Sequence, residues 1–563
     1  MGNFIGAERL AFGPWQALER ALHRFFVHSG FTDCRLVGGP GDKGADVLAM
    51  KNNRLWVIQA KFRRDSVALD ESAVREVMTA INSYSADEAV VATNQSFRPC
   101  AYELAKKLSD STGVLIHLWP ADILLKWSKK LPEYPALRTD LRPYQEEALD
   151  RIDLARSQGR GKGLLIMATG LGKTRVAGEV ILREILNERG NNVLVLAHTI
   201  PLVHQLEAAV WEVLNKDTST HIWAGGEYPT YAGGVTFATM QSMIEAAKRE
   251  DLNRRFSLVV VDEAHHAPAD GYRQLLELLQ PSFLLGLTAT PWRLDERLLS
   301  DMFGPPVFTM SVVDGMQQGY LADVDYRMLV DNVDWEEVLR LSQQRLTVSE
   351  LNRKLFIPER DESIVTKLVE HIDSIRNPRC LIFCRTIEHA TTIYHLLRAA
   401  GKPCRLIHSD LDAMEGTKIL REFRAAQNPT LISVDMLNEG IDVPDVNLVA
   451  FLRVTHSRRI FIQQLGRGLR ISKGKSTVKV LDFVADIRRI AAGLRLNHEA
   501  VEFTRRAENK EIIRFPDGRI VQFSNDKALS FFQEYLQDVA QVEDLDKDAR
   551  LKFPPPVVSI DEA

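Results

Sequence analysis

Short apolar runs alternate with amphipathic stretches along most of this chain. Runs of this kind, separated by segments with helical spacing, predict buried parallel strands in a sheet that helices cover on both faces. The middle of the chain contains such runs at Leu164–Ile166, Val193–Ala197, Gly234–Ala238, Leu258–Val261 and Leu284–Leu287. A second set follows at Cys380–Cys384, Cys404–His408, Thr430–Val434 and Leu448–Leu452. The pattern predicts two doubly wound α/β domains, at 140–315 and 361–485, joined by a bridging segment at 316–360.

Residues 1–126 show a different order of elements. Apolar side chains at helical spacing predict a helix over 15–27, and strand-like runs follow at Cys34–Val37, Ala45–Met50 and Arg54–Lys61. Helices over 72–83 and 100–108 then alternate with strands at 89–93 and 114–119, which predicts a small mixed sheet with helices on its faces. The fold class is therefore α/β, with a proline-containing linker at 127–139 and a small α+β region at 486–563.

One stretch, Gly163–Thr174, reads GLLIMATGLGKT: an apolar strand, a glycine loop, Lys-Thr and the start of a helical pattern. The backbone N–H groups of such a loop, and of the helix that follows, bind phosphate oxygens. The strict phosphate-loop pattern has Gly at the position of Met167, so this loop is a variant. We expect Lys173 to neutralise the phosphates of ATP and Thr174 to bind Mg²⁺, with further nucleotide contacts from Thr169, Gly170 and Gly172. A glycine-rich turn that binds no nucleotide is the alternative.

An acidic pair, Asp262-Glu263, directly follows the apolar run Leu258–Val261. The carboxyl end of a parallel strand is where an α/β sheet places its chemistry. We expect Asp262 to hold Mg²⁺ and Glu263 to polarise the attacking water. An isolated pair of this kind is more often an exposed acidic turn, and the phosphate loop upstream argues against that alternative.

Two residues ahead of the phosphate loop are candidates for binding adenine. The segment LRPYQ, Leu141–Gln145, begins an amphipathic helix. The amide of Gln145 suits a two-point contact with the N6/N7 edge of adenine, and the ring of Tyr144 suits stacking on the base.

Two arginines lie three residues apart near the end of the second α/β domain, in the segment QQLGRGLR. Arg467 and Arg470 therefore share one helix face. Two guanidiniums on one face suit a triphosphate presented by a facing domain, which is the arginine-finger arrangement. The alternative is a basic helix on a solvated surface.

The amino-terminal block has its own candidate chemistry. Asp46 opens one predicted strand, and Gln59 and Lys61 alternate along the next, so the latter two share a face. Carboxylate and carbonyl oxygens suit Mg²⁺, which would activate water for phosphodiester hydrolysis. Lys61 would steer the nucleophile or offset developing charge, and Glu19 on the first helix offers a second carboxylate. The alternative is that Asp46 is a turn residue and Lys61 a solvated charge at a strand end.

Glu19, Gly30, the segment Gly41–Asp46 and Gln59-Ala-Lys61 together resemble an Mrr-type restriction endonuclease domain. This family is a branch of the PD-(D/E)XK nuclease fold, and the resemblance covers residues 10–120. The broader fold has Glu or Asp at the position of Gln59, whereas the Mrr branch commonly reads QAK. The resemblance implies metal-dependent DNA cleavage. A nuclease fold that is kept only for DNA binding is the alternative.

A set of motifs over residues 139–485 resembles a superfamily 2 helicase core of the DEAH-box type. The motifs, in order, are LRPYQ, ATGLGKT, LAHTIPLVHQ, TMQS, DEAH, TAT, LIFCRT, DMLNEGIDVP and QQLGRGLR. The branch is that of RadD-like repair helicases and the motor subunits of type I and III restriction enzymes. The resemblance implies two RecA-like domains that bind ATP between them, with Gly440 and Asp442 at the nucleotide. It also implies that Thr239, Gln241, Arg385 and Thr386 lie near a nucleic-acid backbone.

The composition excludes several classes of protein. In 563 residues, 45% are hydrophobic and 26% charged, which is typical of a soluble globular chain. No apolar run has the length of a membrane span, no secretory signal is evident, and five scattered cysteines fit a reducing cytoplasm. With a net charge of −4, any polynucleotide groove must be a local basic patch.

We therefore expect an ATP-dependent DNA helicase or translocase with a Mg²⁺-dependent endonuclease in the same chain, acting in restriction or anti-phage defence. One alternative is a DNA repair or recombination motor whose amino-terminal domain only binds DNA. Another is an RNA remodeller. Protein partners cannot be assigned from the sequence.

Overall fold

The computed structural model of this chain describes residues 3–37, 43–187, 192–249, 255–264, 270–289, 299–329, 345–347, 361–384, 386–411, 413–424, 429–434, 446–452, 477–483, 521–523 and 550–552. These residues belong to two compact units. The first is built mainly from Met1–Met167 and Gly172–Thr309, and the second mainly from Met310–Leu411 and Glu415–Ala563.

The amino-terminal domain contains a five-stranded mixed sheet. Its strands lie in chain order: β1 Thr32–Leu36, β2 Val47–Lys51, β3 Arg54–Lys61, β4 Glu88–Thr93 and β5 Leu115–Trp119. The first three strands are antiparallel, whereas β3, β4 and β5 are parallel. The helices are α1 Ala7–Phe12, α2 Trp15–His28, α3 Glu71–Tyr84, α4 Pro99–Thr112 and α5 Ala121–Lys130. The predicted mixed sheet is confirmed, and α1 and α5 are additional.

Alternating side chains of this sheet enter two separate cores. Val90 of β4 packs in the cluster that contains Leu22 and Phe26 of α2. Val91, its neighbour, packs in the cluster that contains Val77 of α3. The period of two along a strand therefore decides which helix a side chain of the sheet faces.

The second domain of the first unit contains a seven-stranded sheet in the order β12-β6-β11-β10-β7-β9-β8. The strands are β6 Lys162–Met167, β7 Asn192–Ala197, β8 Thr220–Trp223, β9 Gly234–Thr239, β10 Leu258–Val261, β11 Phe283–Thr288 and β12 Pro306–Met310. The pairs from β6 to β8 are parallel, so the phosphate loop after β6 and the acidic pair after β10 leave the same edge. The helices are α6 Pro143–Ser157, α7 Lys173–Asn187, α8 Ile200–Trp211, α9 Met240–Lys248 and α10 Asp270–Leu279.

The second unit contains another seven-stranded sheet, in the order β16-β17-β15-β18-β19-β13-β20. Its strands are β13 Asp323–Leu329, β15 Cys380–Cys384, β16 Cys404–Ile407, β17 Thr430–Val434, β18 Leu448–Leu452, β19 Thr477–Phe483 and β20 Val521–Phe523. All of these pairs are parallel. The helices are α11 Val312–Gln317, α12 Asp361–Asp373, α13 Ile387–Ala399 and α14 Ala413–Arg424, and β14 Arg345–Thr347 pairs with β21 Arg550–Lys552.

Two predicted boundaries differ from the structure. Helix α5 continues through Lys130, so the linker begins at Leu131 and not at residue 127, because Trp127 packs against the domain core and Ser128 is buried. Strand β13 lies in the predicted bridging segment but pairs with β19, so the second α/β domain takes a strand from it. Local pattern does not identify a partner so distant in sequence. Most of the region 486–563 lies outside the described residues.

Among the residues that the structure describes, none of the helices combines the length and apolar character needed to cross a membrane.

Candidate nuclease centre and nucleotide site

The pleat of the amino-terminal sheet brings three predicted residues together. Gln59 and Lys61 follow Val57 at intervals of two along β3, and Val57 packs in the core beneath α3. Asp46 pairs with β3 through its own N–H, which donates to Ile58 O at 2.9 Å. Its carboxylate oxygen Oδ2 accepts the N–H of Ala60 at 2.6 Å, between the two β3 side chains. The predicted grouping of Asp46, Gln59 and Lys61 is therefore present.

A fourth residue, Glu76 of α3, joins this group and was not predicted. Its Oε2 lies 3.3 Å from Nε2 of Gln59 and forms a close ion pair with Nζ of Lys61. The side chain of Glu76 is about half exposed, whereas Gln59 is buried. Glu76 thus fixes the orientation of the Gln59 amide, because a flipped amide would place two oxygens against each other.

The same orientation leaves the carbonyl oxygen of Gln59 buried and without a hydrogen-bond donor among the described residues. A buried acceptor of this kind, beside the carboxylate of Asp46, suits a hard cation such as Mg²⁺, which takes oxygen ligands. Within the described ranges no three His, Cys, Asp or Glu side chains cluster as a metal site. Mg²⁺ retains several water ligands, so one carboxylate and one amide oxygen still fit the predicted ion.

Glu19, the other predicted residue of this centre, lies on α2 and is half-buried. The next residue, Arg20, points into the neighbouring α/β domain, where it binds Glu207 and Glu227. The part that Glu19 takes in cleavage remains a prediction.

The phosphate loop lies between β6 and α7, as predicted. Lys173 and Thr174 occupy the first turn of α7. Gly172 has φ of +84°, and a Cβ built on it would lie 2.6 Å from Nε2 of Gln145, so no other residue fits there without displacing Gln145. Gly170 also has positive φ, at +92°, and Thr169 precedes it in the loop. The loop therefore has the backbone conformation that two of its glycines permit.

The acidic pair lies on the same sheet edge. The N–H of Asp262 donates to Leu196 O at 2.9 Å, which fixes the end of β10 beside β7. Glu263 has φ of +47°, a left-handed conformation that is costly for a residue with a side chain and is found most often at functional sites. Its Oε1 lies 3.5 Å from Nζ of Lys173. The lysine and the acid that were predicted to act on one nucleotide are thus neighbours.

The structure corrects one of the two predictions for the residues ahead of the loop, that for Tyr144. The ring of Tyr144 is 4% exposed, so it has no open face on which a base could stack. Oε1 of Gln145 accepts the N–H of Arg142 at 3.0 Å, so this amide belongs to the capping box that begins α6. Both residues therefore support α6 and the loop, and a role for Gln145 at the adenine remains a prediction.

Several predicted residues lie outside the described residues: Arg385, Gly440, Asp442, Arg467 and Arg470. Two predicted backbone-contacting threonines have other partners. The hydroxyl oxygen of Thr239 accepts the N–H of Ser242 and caps α9, and that of Thr386 accepts the N–H of His389 and caps α13. Their hydroxyls are thus helix caps. Gln241 is exposed and its amide lies 3.2 Å from Glu245 Oε1.

Three protein families match consecutive parts of this chain. An Mrr-type family described as restriction endonuclease matches residues 13–128, the type III restriction enzyme res subunit family matches 138–293, and the helicase conserved C-terminal domain matches 363–472. The chain is an Mrr-type nuclease domain fused to a superfamily 2 helicase core.

Individual relatives resemble this fusion only in part. The chain is 27% identical over 406 residues to the type I restriction enzyme EcoKI endonuclease subunit of Escherichia coli, which covers 61% of this chain and 34% of the subunit. It is also 27% identical over 410 residues to the DNA 3'-5' translocase XPB2 of Sulfurisphaera tokodaii, covering 62% of this chain and 90% of that protein. It spans 51% of the putative ATP-dependent helicase IRC3 of Saccharomyces cerevisiae. The chain thus covers about half or less of the length of these longer relatives.

One solved structure extends the likeness in fold to nearly the whole chain. The ATP-dependent Type ISP restriction-modification enzyme LlaBIII bound to DNA superposes with a TM-score of 0.53 at 17% identity, covering 95% of this chain and 41% of that one. At this identity the likeness concerns the fold alone.

Sequence reasoning missed two features of the fused domains. Glu76 of the Mrr-type domain gave no signal, since an acid on an amphipathic helix is ordinarily a solvated residue. Arg20 and Arg24 did give one, because they lie four residues apart on a helix whose other buried positions are mostly apolar. Two arginines on one face of a buried helix indicate a second partner for that helix.

Proposed function

We propose that this chain is an ATP-driven DNA translocase or helicase that cuts DNA with its own Mg²⁺-dependent nuclease domain, as a restriction or anti-phage effector. The observation that carries the proposal is that Asp46, Gln59 and Lys61 lie together on one face of the sheet, where the buried amide oxygen of Gln59 has no donor among the described residues. A domain kept only to bind DNA has no need of such an acceptor. The E. coli relative is the endonuclease subunit of a restriction enzyme, which supports the same proposal.

In the helicase core, the site residues act on ATP, on its Mg²⁺ or on the attacking water. Lys173 neutralises the β/γ-phosphates, while Thr174 and Asp262 hold the nucleotide's Mg²⁺. Glu263 orients and polarises the attacking water. Arg467 and Arg470 offset the charge that develops on the transferred phosphoryl group, and Gly440 and Asp442 contact the nucleotide.

In the nuclease domain, Asp46 and Gln59 hold the metal through oxygen atoms. When bound, Mg²⁺ supplies Lewis-acid polarisation of the phosphate and lowers the pKa of a bound water. Lys61 offsets the negative charge that develops on the phosphate, and Glu76 holds both Lys61 and the Gln59 amide in position. In this proposal the work is divided between two metal ligands, Asp46 and Gln59, and one cationic side chain, Lys61.

The proposal is tested with wild-type protein, Lys173→Ala and Asp46→Ala on modified and unmodified plasmid, with and without ATP, in buffer containing Mg²⁺. We expect Asp46→Ala to abolish cutting and to keep DNA-stimulated ATPase activity, and Lys173→Ala to abolish the ATPase. Nicking by Asp46→Ala protein at the wild-type rate would refute the nuclease assignment. Stimulation of the ATPase by RNA and not by DNA, at the same salt concentration, would refute the DNA motor.

A further inference from the structure

Three arginines of the nuclease domain insert into the first helicase domain, and they form what we call the clamp: Arg9, Arg20 and Arg24 with Glu207 and Glu227. Nε of Arg20 lies 2.9 Å from Glu207 Oε2. The two terminal nitrogens of Arg20 donate to the two oxygens of Glu227 at 2.8 and 2.5 Å. The side chains of Arg20, Glu207 and Glu227 are 4%, 1% and 7% exposed. Arg20 therefore joins two acids of the motor in a buried, partly bidentate ion cluster.

The other two arginines bind backbone carbonyls of the same helicase domain. Arg24 donates to Thr218 O at 2.6 Å and to Asn215 O at 2.8 Å. Arg9 donates to Thr220 O at 2.6 Å. The space left among these side chains is about 10 Å³, room for no more than one water. Because a buried charge is costly once its partner is removed, this interface resists opening.

The clamp ends on a loop that lines a groove of the motor. Glu227 closes a tight turn with Ala224, whose N–H and O exchange hydrogen bonds with it at 3.1 and 3.0 Å across Gly225-Gly226. Both glycines have positive φ, as a turn of this tightness requires. The adjoining groove, about 560 Å³, is lined by Trp223, Tyr228, Ser242 and Arg249, and also by the acids Glu227 and Glu245. Aromatic, hydroxyl and guanidinium groups of this kind suit a nucleic-acid strand.

The same loop also contacts the region beside the nuclease centre. The hydroxyl of Thr230 donates to Gly13 O at 3.0 Å. Gly13 lies against the ring of Phe62, since a Cβ built on it would be 2.7 Å from Cζ of that ring. Phe62 directly follows Lys61 in the chain. The loop therefore reaches the nuclease domain at two points, Arg20 and Gly13.

We propose that the clamp fixes the span between the motor groove and the nuclease centre, so that DNA is cut at a set distance from the motor. The inference rests on the proposed function. Arg20 is a positioning residue in it: it touches no substrate, and it makes the nuclease domain travel with the first helicase domain. The substrate in this proposal is duplex DNA, which the motor moves until translocation stops.

The experiment uses full-length protein, ATP, Mg²⁺ and a linear duplex with a streptavidin block at one biotinylated base. Cut positions are mapped to the nucleotide. We expect wild-type cuts within a window of about one helical turn, roughly ten base pairs. In Arg20→Met the acids Glu207 and Glu227 lose the cation they share, so the interface loosens although Arg9 and Arg24 keep their contacts with backbone carbonyls. The cut window should therefore be wider than in the wild type.

Two further variants make the result interpretable. Glu227→Gln keeps the shape of the loop and removes one charge of the clamp. If Arg20→Met fails to fold, the cut window of Glu227→Gln is compared with that of the wild type. Arg54→Met removes an exposed arginine whose ion pair with the buried Glu88 lies at the other end of β3 from Lys61, and it should keep the wild-type window. Variants are compared at matched DNA-stimulated ATPase activity and matched ATP-independent nicking.

The outcomes separate this inference from the proposed function. A wild-type protein that makes no ATP-dependent cuts contradicts the proposed function. If the wild-type cuts are spread over many helical turns, the fixed span is wrong, and the proposed function is not affected. An unchanged window in an active clamp variant also overturns it.

Discussion

Nζ of Lys173 lies 3.5 Å from Oε1 of Glu263, so the lysine of the phosphate loop and the acid after β10 form an ion pair. Both side chains are mostly buried, at 11% and 15% exposure. In the proposed function, a triphosphate bound to Lys173 would compete with Glu263 for the ammonium group. ATP binding would then release the carboxylate to act on water.

The first prediction concerns this pair. Lys173→Ala removes the cation that neutralises the phosphates, and we expect no ATP binding in a fluorescent-nucleotide titration. Glu263→Gln should still bind ATP, because it removes only the base, while its turnover should fall by about 10²–10⁴-fold. If Glu263→Gln hydrolyses ATP at the wild-type rate, the attacking water is oriented by another group.

The second prediction concerns Gly172, whose φ is +84° and whose built Cβ meets Gln145 Nε2 at 2.6 Å. We expect Gly172→Ala to displace Gln145 or the loop and to weaken ATP binding at least about tenfold, equivalent to 1.4 kcal/mol. Gly159→Ala is the matched control, since it also has positive φ, +77°, but nothing within 4 Å of the built Cβ. The control should lose about 1–3 kcal/mol of stability from the backbone alone and keep its ATP affinity. Equal ATP affinity in the two variants would show that the contact with Gln145 is unimportant.

The local pattern of apolar and polar residues was sufficient to predict the helices and strands. It was also sufficient to group residues that lie on one face of neighbouring strands. Asp46, Gln59 and Lys61 could be grouped because strand period and neighbouring strands decide their positions. Glu76 could not, since its direction depends on how α3 docks on the sheet. The pairing of β13 with β19 was beyond reach for a similar reason, as the two strands lie far apart in the chain.

Burial was the other property that motifs did not reveal. Tyr144 was assigned to adenine because its motif lies ahead of a phosphate loop, but its ring is in the protein interior. The motif identifies residue types at a spacing, whereas exposure depends on everything that packs around them. Arg20 is the opposite case: a charged residue is ordinarily expected at the surface, but this one is buried against Glu207.

The third prediction concerns Glu76 and the nuclease centre. Glu76→Gln loses the charge that holds Lys61 but keeps a group able to contact Gln59, and we expect cutting to fall by about 10–100-fold, as for other groups that orient metal ligands. Asp46→Asn should abolish cutting. The ATPase of both variants should stay within twofold of wild type as a check on folding. The measurement is plasmid nicking at several Mg²⁺ concentrations.

Charge removal at a partly exposed site on the same helix serves as the control for Glu76. Glu71 pairs with Arg75 one turn along α3, and Glu71→Gln should leave cutting unchanged. A faster Glu76→Gln enzyme would mean that Glu76 restrains Lys61 and does not position it.

The last prediction is a pH dependence that arises at the nuclease–motor interface. His23 lies edge-on to Trp211 of the helicase domain, with ring centroids 5.2 Å apart, and burial lowers its pKa from 6.5 to about 4. The unfolded chain therefore binds a proton at pH values where the folded protein does not. The stability due to neutral His23 is present above about pH 6.5 and is lost as the pH falls from there toward 4, by about 1.4 kcal/mol per pH unit.

Urea midpoints of wild type and His23→Gln, measured at pH 7, 6 and 5, should therefore converge as the pH falls, because Gln does not titrate. Adding His28→Gln should flatten the profile further, since burial also lowers the pKa of His28 to about 4. Parallel profiles for wild type and His23→Gln would show that His23 is not the group whose protonation destabilises the folded protein in acid.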